Sequence, residues 1–224
     1  MHHPLLRGFV LIGGTALTLR IGHRVSEDLD FAFVKAKLPR TRIKLMASEL
    51  PRSGVSLEPV RSPVAEEEFL DSGLDLADYQ QNFIANGTVK ISLICLDPPA
   101  SRIITGETDE PLRVASMDEV FATKCVVCAE RSKTRDWFDL YVLMTQHGYG
   151  FQDFYRTFAR LGFLNGYANA AMRLRKCVPD LDDPGYEQLL QTAPSLEELR
   201  TFFNANLDEL EVDLATNAFL AKGR

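Results

Sequence analysis

Apolar positions in the first half of the chain fall in short runs that suit strands, separated by turn residues. Phe9-Val10-Leu11-Ile12 predicts a short buried strand and Leu29 to Val34 a second. Between them, Thr15 to Ile21 reads as a helix entered through Gly13-Gly14, and Arg42 to Leu50 as another. Asn82 to Ala85 and Thr88 to Leu96 flank Asn86-Gly87. That dipeptide suits the positive φ angles of a type I′ turn, so the pair predicts a hairpin. Asp97-Pro98-Pro99 ends the second strand, an irregular stretch follows through Thr105-Gly106, and Leu112-Arg113-Val114 predicts a short edge strand.

Beyond that point the pattern turns helical. Ser116-Met117-Asp118-Glu119 has the form of a capping box, with Ser116 as N-cap and Glu119 reaching back to it. Further helices are predicted around Asp136 to Gln146, Phe151 to Leu161 and Tyr167 to Lys176. A last one opens at Ser195-Leu196-Glu197-Glu198 and carries Leu199, Phe202, Phe203, Leu207, Leu210 and Leu214, a stripe that core packing explains. The expected fold class is therefore α+β, with strands and helices together in residues 1–115 and a helical C-terminal lobe in residues 116–224. No internal repeat or low-complexity tract interrupts this plan.

Composition narrows the class without naming it. A chain of 224 residues, 46% hydrophobic and 25% charged, can bury a sizeable core. No apolar run approaches the roughly 20 residues that span a bilayer. The opening Met1-His2-His3-Pro4-Leu5-Leu6-Arg7 lacks the regions of a signal peptide, so a soluble cytoplasmic protein with no membrane association is expected. His2 and His3 read as a disordered end. Cys95, Cys125, Cys128 and Cys177 show no disulfide framework, and Cys125-Val126-Val127-Cys128 sits in a helical pattern without a second pair.

A net charge of -6 argues against a protein that coats nucleic acid, yet charge is uneven along the chain. Lys35, Lys37, Arg40, Arg42 and Lys44 make a basic stretch, which would be the natural contact for an acceptor strand if the acceptor is RNA. From Glu58 to Asp78 acids dominate, which reads as a solvated loop and short helix.

Two constellations carry chemistry. Asp28 and Asp30, at i and i+2 of a strand, project from one face and can hold a cation between them. The helix after Gly13-Gly14 offers free N–H groups and a positive dipole end to a phosphate. Metal seat and phosphate seat together point to nucleotide chemistry. Far downstream, Lys124 falls on the apolar stripe of Met117, Val120, Phe121 and Cys128. A buried ammonium there needs an anionic partner, unless it snorkels to solvent. Arg131, Lys133, Arg135, Asp136 and Asp139 follow, and Arg135 and Asp139 have the spacing of an intrahelical pair.

The combined pattern resembles the AbiEii/AbiGii toxin family of the nucleotidyltransferase superfamily. The family's opening motif stands as Gly13-Gly14-Thr15-Ala16-Leu17 and His23-Arg24-Val25-Ser26-Glu27-Asp28-Leu29-Asp30-Phe31, its later one as Lys124, Arg131 and Arg135-Asp136-Trp137-Phe138-Asp139. The resemblance implies a nucleotidyltransferase-like mixed β-sheet core flanked by helices with the helical lobe packed on it, and a toxin of a bacterial toxin–antitoxin or abortive-infection pair that moves a nucleotide from an NTP such as ATP to an RNA 3′ end, tRNA-like, or to a protein. Implied partners are the NTP, that acceptor and a cognate antitoxin; the implied cofactor is Mg2+ or Mn2+.

The implied roles give Asp28 and Asp30 the metal. Gly13, Gly14, Thr15, Arg24, Ser26 and Lys90 would bind nucleotide or phosphate, and Arg135 would be a phosphate or structural partner. Lys124 would meet the phosphates, with Asp136 or Asp139 as the later functional carboxylate. One departure is visible. Val89-Lys90-Ile91-Ser92-Leu93 has serine where the superfamily usually carries a third acid. The alternative is thus a catalytically weakened relative that binds nucleotide or a partner without turnover.

Overall fold

The computed structural model describes residues 4–104, 112–185 and 193–222. The chain divides into two compact units, Met1–Val120 and Phe121–Arg224. The dividing point lies inside a helix, a few residues beyond the change of pattern at Ser116.

The first unit is built on a six-stranded mixed sheet in the order β3-β4-β5-β2-β1-β6. Its strands are β1 (Phe9–Ile12), β2 (Asp28–Phe33), β3 (Leu57–Val60), β4 (Gln80–Ala85), β5 (Val89–Cys95) and β6 (Arg113–Val114). Helices α1 (Gly13–Ile21), α2 (Arg40–Glu49) and α3 (Pro63–Asp71) connect them. β1 pairs antiparallel with β2, while β2 pairs parallel with β5. Strand alternation separates two faces. Phe9, Leu11, Phe31, Phe33, Phe83 and Leu93 lie on one, and all are buried. Asp28, Asp30, Lys90, Ser92 and Asn82 share the other.

The expected hairpin is present. Asn86 and Gly87 both take positive φ, 48 and 72 degrees, and the Thr88 N–H donates to the Ala85 carbonyl at 3.1 Å. Ala85 faces Val89, so β5 begins one residue later than the sequence suggested, while β4 begins two residues earlier, at Gln80. The stretch through Thr105-Gly106 lies outside the described residues.

The acidic section differs from expectation. It contains β3, which Pro59 and its charged neighbours hid from a periodicity reading, and its acids are not all solvated. Asp78 accepts from Lys37 Nζ at 2.8 Å, and Arg40 Nη1 meets Asp75 and Asp78 at 2.6 and 3.2 Å. Arg42 is also committed: its guanidinium carbon lies 5.5 and 5.3 Å from the ring centroids of Phe9 and Phe33. Burial there lowers its pKa. Three cations of the basic stretch are therefore occupied within their own unit.

The second unit is helical: α4 (Met117–Glu130), whose first residues belong to the first unit, then α5 (Thr134–Gln146), α6 (Phe151–Leu161), α7 (Leu164–Lys176) and α8 (Leu196–Lys222). The expected capping box forms, and a second one opens α8. The Glu119 N–H donates to Ser116 Oγ at 3.2 Å and the Ser116 N–H to Glu119 Oε2 at 2.7 Å, an exchange repeated by Ser195 and Glu198. Leu199, Phe203, Leu207 and Leu210 of α8 are buried, as the stripe predicts. Cys125 and Cys128 are fully buried and burial pushes both thiols well above their ordinary range, so they pack rather than react. Among the described residues no helix is long and apolar enough to cross a membrane.

Candidate active site

In the first unit the glycine turn, α1 and the start of β2 converge. Helix α1 begins at Gly13, two residues earlier than expected, and Ile12 at its N-cap supplies no side-chain bond. No N-cap side chain therefore covers its first N–H groups. Gly13 takes φ of +71 degrees, and a Cβ built there would stand 3.1 Å from Asp30 Oδ2. Only glycine brings the helix entrance this close to the carboxylate without strain.

Gly14 is equally constrained. A Cβ there would fall 2.5 Å from Arg24 Nη2 and 3.1 Å from Ser26 Oγ. The Arg24 side chain is buried, and its Nη1 donates to the Val25 carbonyl at 2.9 Å. Thr18 Oγ1 donates to the Arg24 carbonyl at 3.1 Å, which fixes the loop that brings Arg24 back over α1. Thr15 Oγ1 lies 2.8 Å from Ser26 Oγ and also contacts the Asp28 carbonyl, tying the first turn of α1 to the first residue of β2. Gly13, Gly14, Thr15, Arg24, Ser26, Asp28 and Asp30 therefore form one cluster, as their sequence motif suggests.

The register sets the rest of the face. Asp28 lies opposite Lys90 and Asp30 opposite Ser92 on β5. Lys90 is exposed and Ser92 is buried at 7%. Among the described residues no group of three or more His, Cys, Asp or Glu side chains comes together as a metal cage. A two-carboxylate seat still fits Mg2+, which is commonly held by one or two carboxylates with water and substrate phosphates completing its shell.

The remaining candidates form a second cluster, within the helical unit. Lys124 does not snorkel: its Nζ lies 2.6 Å from Asp136 Oδ1 and 2.6 Å from Asp139 Oδ2, and all three side chains are buried. Arg131 reaches in from the surface to Asp136, Nε to Oδ2 at 2.8 Å. Burial by itself would lower the Lys124 pKa, but the two carboxylates outweigh it and the net direction is upward. Burial likewise opposes ionisation of Asp136, and Lys124 and Arg131 overcome it to hold that carboxyl below its ordinary range. Arg135, on the same helix, directs Nε to the Gly185 carbonyl at 3.2 Å.

Sequence reasoning missed what braces this cluster. α5 has Lys133 at its N-cap with no side-chain bond, and an acidic turn after α7 supplies the missing acceptors. Asp183 Oδ2 accepts from the Thr134 N–H at 3.1 Å, and Asp180 Oδ2 from the Ser132 N–H at 2.8 Å. Asp182 Oδ1 takes Lys133 Nζ at 2.5 Å. The signal was present in Pro179-Asp180-Leu181-Asp182-Asp183-Pro184-Gly185, whose acids and turn residues suit the positive end of a helix.

A mixed sheet with a Gly-Gly strand-to-helix turn packed against an Asp-x-Asp strand is the frame of a nucleotidyltransferase. Residues 1–221 match the family described as Nucleotidyl transferase AbiEii toxin, Type IV TA system, and the chain belongs to that family of nucleotidyltransferases. A relative from Aquifex aeolicus, an uncharacterized protein, is 24% identical over 201 residues, covering 90% of this chain and 87% of the relative. Among solved structures, MenT4, a nucleotidyltransferase toxin from Mycobacterium tuberculosis, shares the fold with a TM-score of 0.52 at 13% identity, over 89% of this chain and 79% of that one. JHP933 from Helicobacter pylori aligns over 97% of this chain and 94% of its own, with 19% identity and a TM-score of 0.47.

Proposed function

We propose that the chain transfers a nucleoside monophosphate from a magnesium-bound NTP to the 3′ hydroxyl of an RNA, and that it acts as the toxin of a pair with a cognate antitoxin. The observation that carries this reading is the contact between the α1 entrance and β2. Gly13 and Asp30 are so close that a phosphate on the α1 N–H groups and a cation on Asp28 and Asp30 would be neighbours.

In this reading Gly13, Gly14 and Thr15 bind the β- and γ-phosphates through backbone N–H groups. Arg24 and Ser26 line the same turn, and Lys90, exposed on the row of Asp28, adds positive charge beside it. The cation supplies charge neutralisation at the α-phosphate and leaving group. The acceptor oxygen forms a bond to the α-phosphorus in line with the bond that breaks, and pyrophosphate leaves. The acceptor proton passes to solvent, because Ser92 stands where an acidic side chain could have taken it. Lys124 fixes Asp136 and Asp139 within the second unit, a positioning role.

The test is to incubate the purified chain with α-labelled NTPs, Mg2+ and total RNA. Labelled RNA that disappears with Asp30→Ala supports the reading, whereas wild type and variant labelling alike would sink it. Ser92 opposite Asp30 favours a second reading, a protein that binds nucleotide without turnover. Saturable Mg-NTP binding with no labelled RNA or protein would establish that reading instead.

A further inference from the structure

The nucleotidyl-transfer reading leaves open where the acceptor sits, and the β3–β4 edge of the sheet offers a place. At the end of β3 and the start of β4 lies a groove of about 660 Å³, lined in part by Val60, Arg61, Leu70, Leu74, Gln80 and Asn82. That volume is within the range of small-molecule sites. Val60, Leu70 and Leu74 are exposed at 46%, 72% and 42%, so the aliphatic walls stand open.

The register ties this groove to the carboxylates. Val60 pairs with Asn82, Asn82 with Ser92, and Ser92 with Asp30, which makes one continuous row across four strands. Asn82 is two strands from Asp30 on the same face, on the order of 10 Å at the usual strand spacing. A nucleotide with its 3′ oxygen at the carboxylates and its base turned outward covers about that span.

In-line displacement decides the side. The triphosphate seat at the α1 entrance follows β1, on one flank of β2; the attacking oxygen must come from the side opposite the leaving pyrophosphate. That side is the β5–β4 flank, where the groove lies. Its polar groups suit a base. Gln80 Nε2 donates to Asn82 Oδ1 at 3.3 Å, which leaves the Gln80 carbonyl oxygen and the Asn82 amino group as an adjacent acceptor and donor. Side-chain amides with that pairing read base edges, and aliphatic walls suit the apolar face of a flat ring. Arg61, held to Glu66, is at the rim.

We propose that this groove binds the base of the 3′-terminal nucleotide of the RNA acceptor, with Gln80 and Asn82 contacting its edge. The proposal rests on the nucleotidyl-transfer reading, and its test separates the two. The full-length protein, a Gln80→Ala/Asn82→Ala double variant and a Leu74→Trp variant that fills the groove are compared on short 5′-fluorescent RNAs ending in each of the four bases. Circular dichroism melts confirm folding of each.

The expected result is a rise of about tenfold in the KM for RNA and a loss of preference among terminal bases, as removal of base-edge contacts predicts, with the NTP KM unchanged. An unchanged RNA KM overturns the proposal. So does a rise in the NTP KM alone, which would assign the groove to the incoming nucleotide, and so does labelling of protein but never RNA. If the wild type transfers nothing, the underlying reading fails by itself, and fluorescence anisotropy then decides the groove. A terminal-base-dependent Kd lost in both variants supports it, and a Kd indifferent to the last base overturns it.

Discussion

Two pairs of aspartates in this chain stand in different surroundings. Asp136 and Asp139 are buried and share a lysine of their own chain, with Arg131 completing the network. Asp28 and Asp30 stand half-exposed on a strand whose neighbours are a glycine turn, an exposed lysine and a buried serine. The first pair has its countercharge built in, so its energy goes into holding helices α4 and α5 together. The second stands beside the entrance of α1, where our proposal has a cation from solution bind and exchange. The same residue type, spaced three apart on a helix or two apart on a strand, is closed into a buried ion-pair network in one unit and stands half-exposed in the other.

The comparison breaks most visibly under substitution of the lysine. Lys124→Ala leaves two buried carboxylates without their shared partner and should cost about 3–5 kcal/mol in urea denaturation. Asp28→Ala should leave the urea midpoint nearly unchanged while labelling of the acceptor falls about a hundredfold or more, the scale of losing one preorganised electrostatic contact. A large drop in stability from Asp28→Ala, or none from Lys124→Ala, would erase the distinction.

A smaller effect is expected from Gly14→Ala, whose methyl group would displace Arg24. NTP affinity should weaken by about tenfold, equivalent to one charge-assisted hydrogen bond, and titration calorimetry would measure it. Smallest at neutral pH, but most specific in shape, is the pH dependence of the melting temperature. The Asp136 carboxyl is held below its ordinary 3.8, so its contribution is present above that pH and is lost as pH falls through the lower folded value. The Lys124 ammonium is raised above its ordinary 10.5, so its contribution is complete below that pH and is lost as pH rises through the higher folded value. Lys124→Met should alter both limbs of the melting profile.

Much of the fold was legible because it rests on local rules. Phe9–Ile12, Phe151–Leu161 and the two Ser-x-x-Glu boxes fall where apolar runs and caps place them. β3 was not legible, since an edge strand with a proline and a glutamate has no apolar signature and exists by pairing with β4. The acidic turn at Asp180–Asp183 was missed for the same reason: its partners, Ser132 to Thr134, are distant in sequence.

The sequence by itself determined the Gly13-Gly14 turn, the Asp28–Asp30 alternation and the helical stripe that carries Lys124, because backbone period and glycine conformational freedom act over a few residues. It also determined that serine, not an acid, follows Lys90 and Ile91. Only the tertiary structure decided which charges are spent. It gave Lys124 to Asp136 and Asp139, Lys37 and Arg40 to Asp75 and Asp78, and set Ser92 and Asn82 in the row of Asp30. Ion pairs and strand register join residues by distance in space, which the order of residues along a chain does not state.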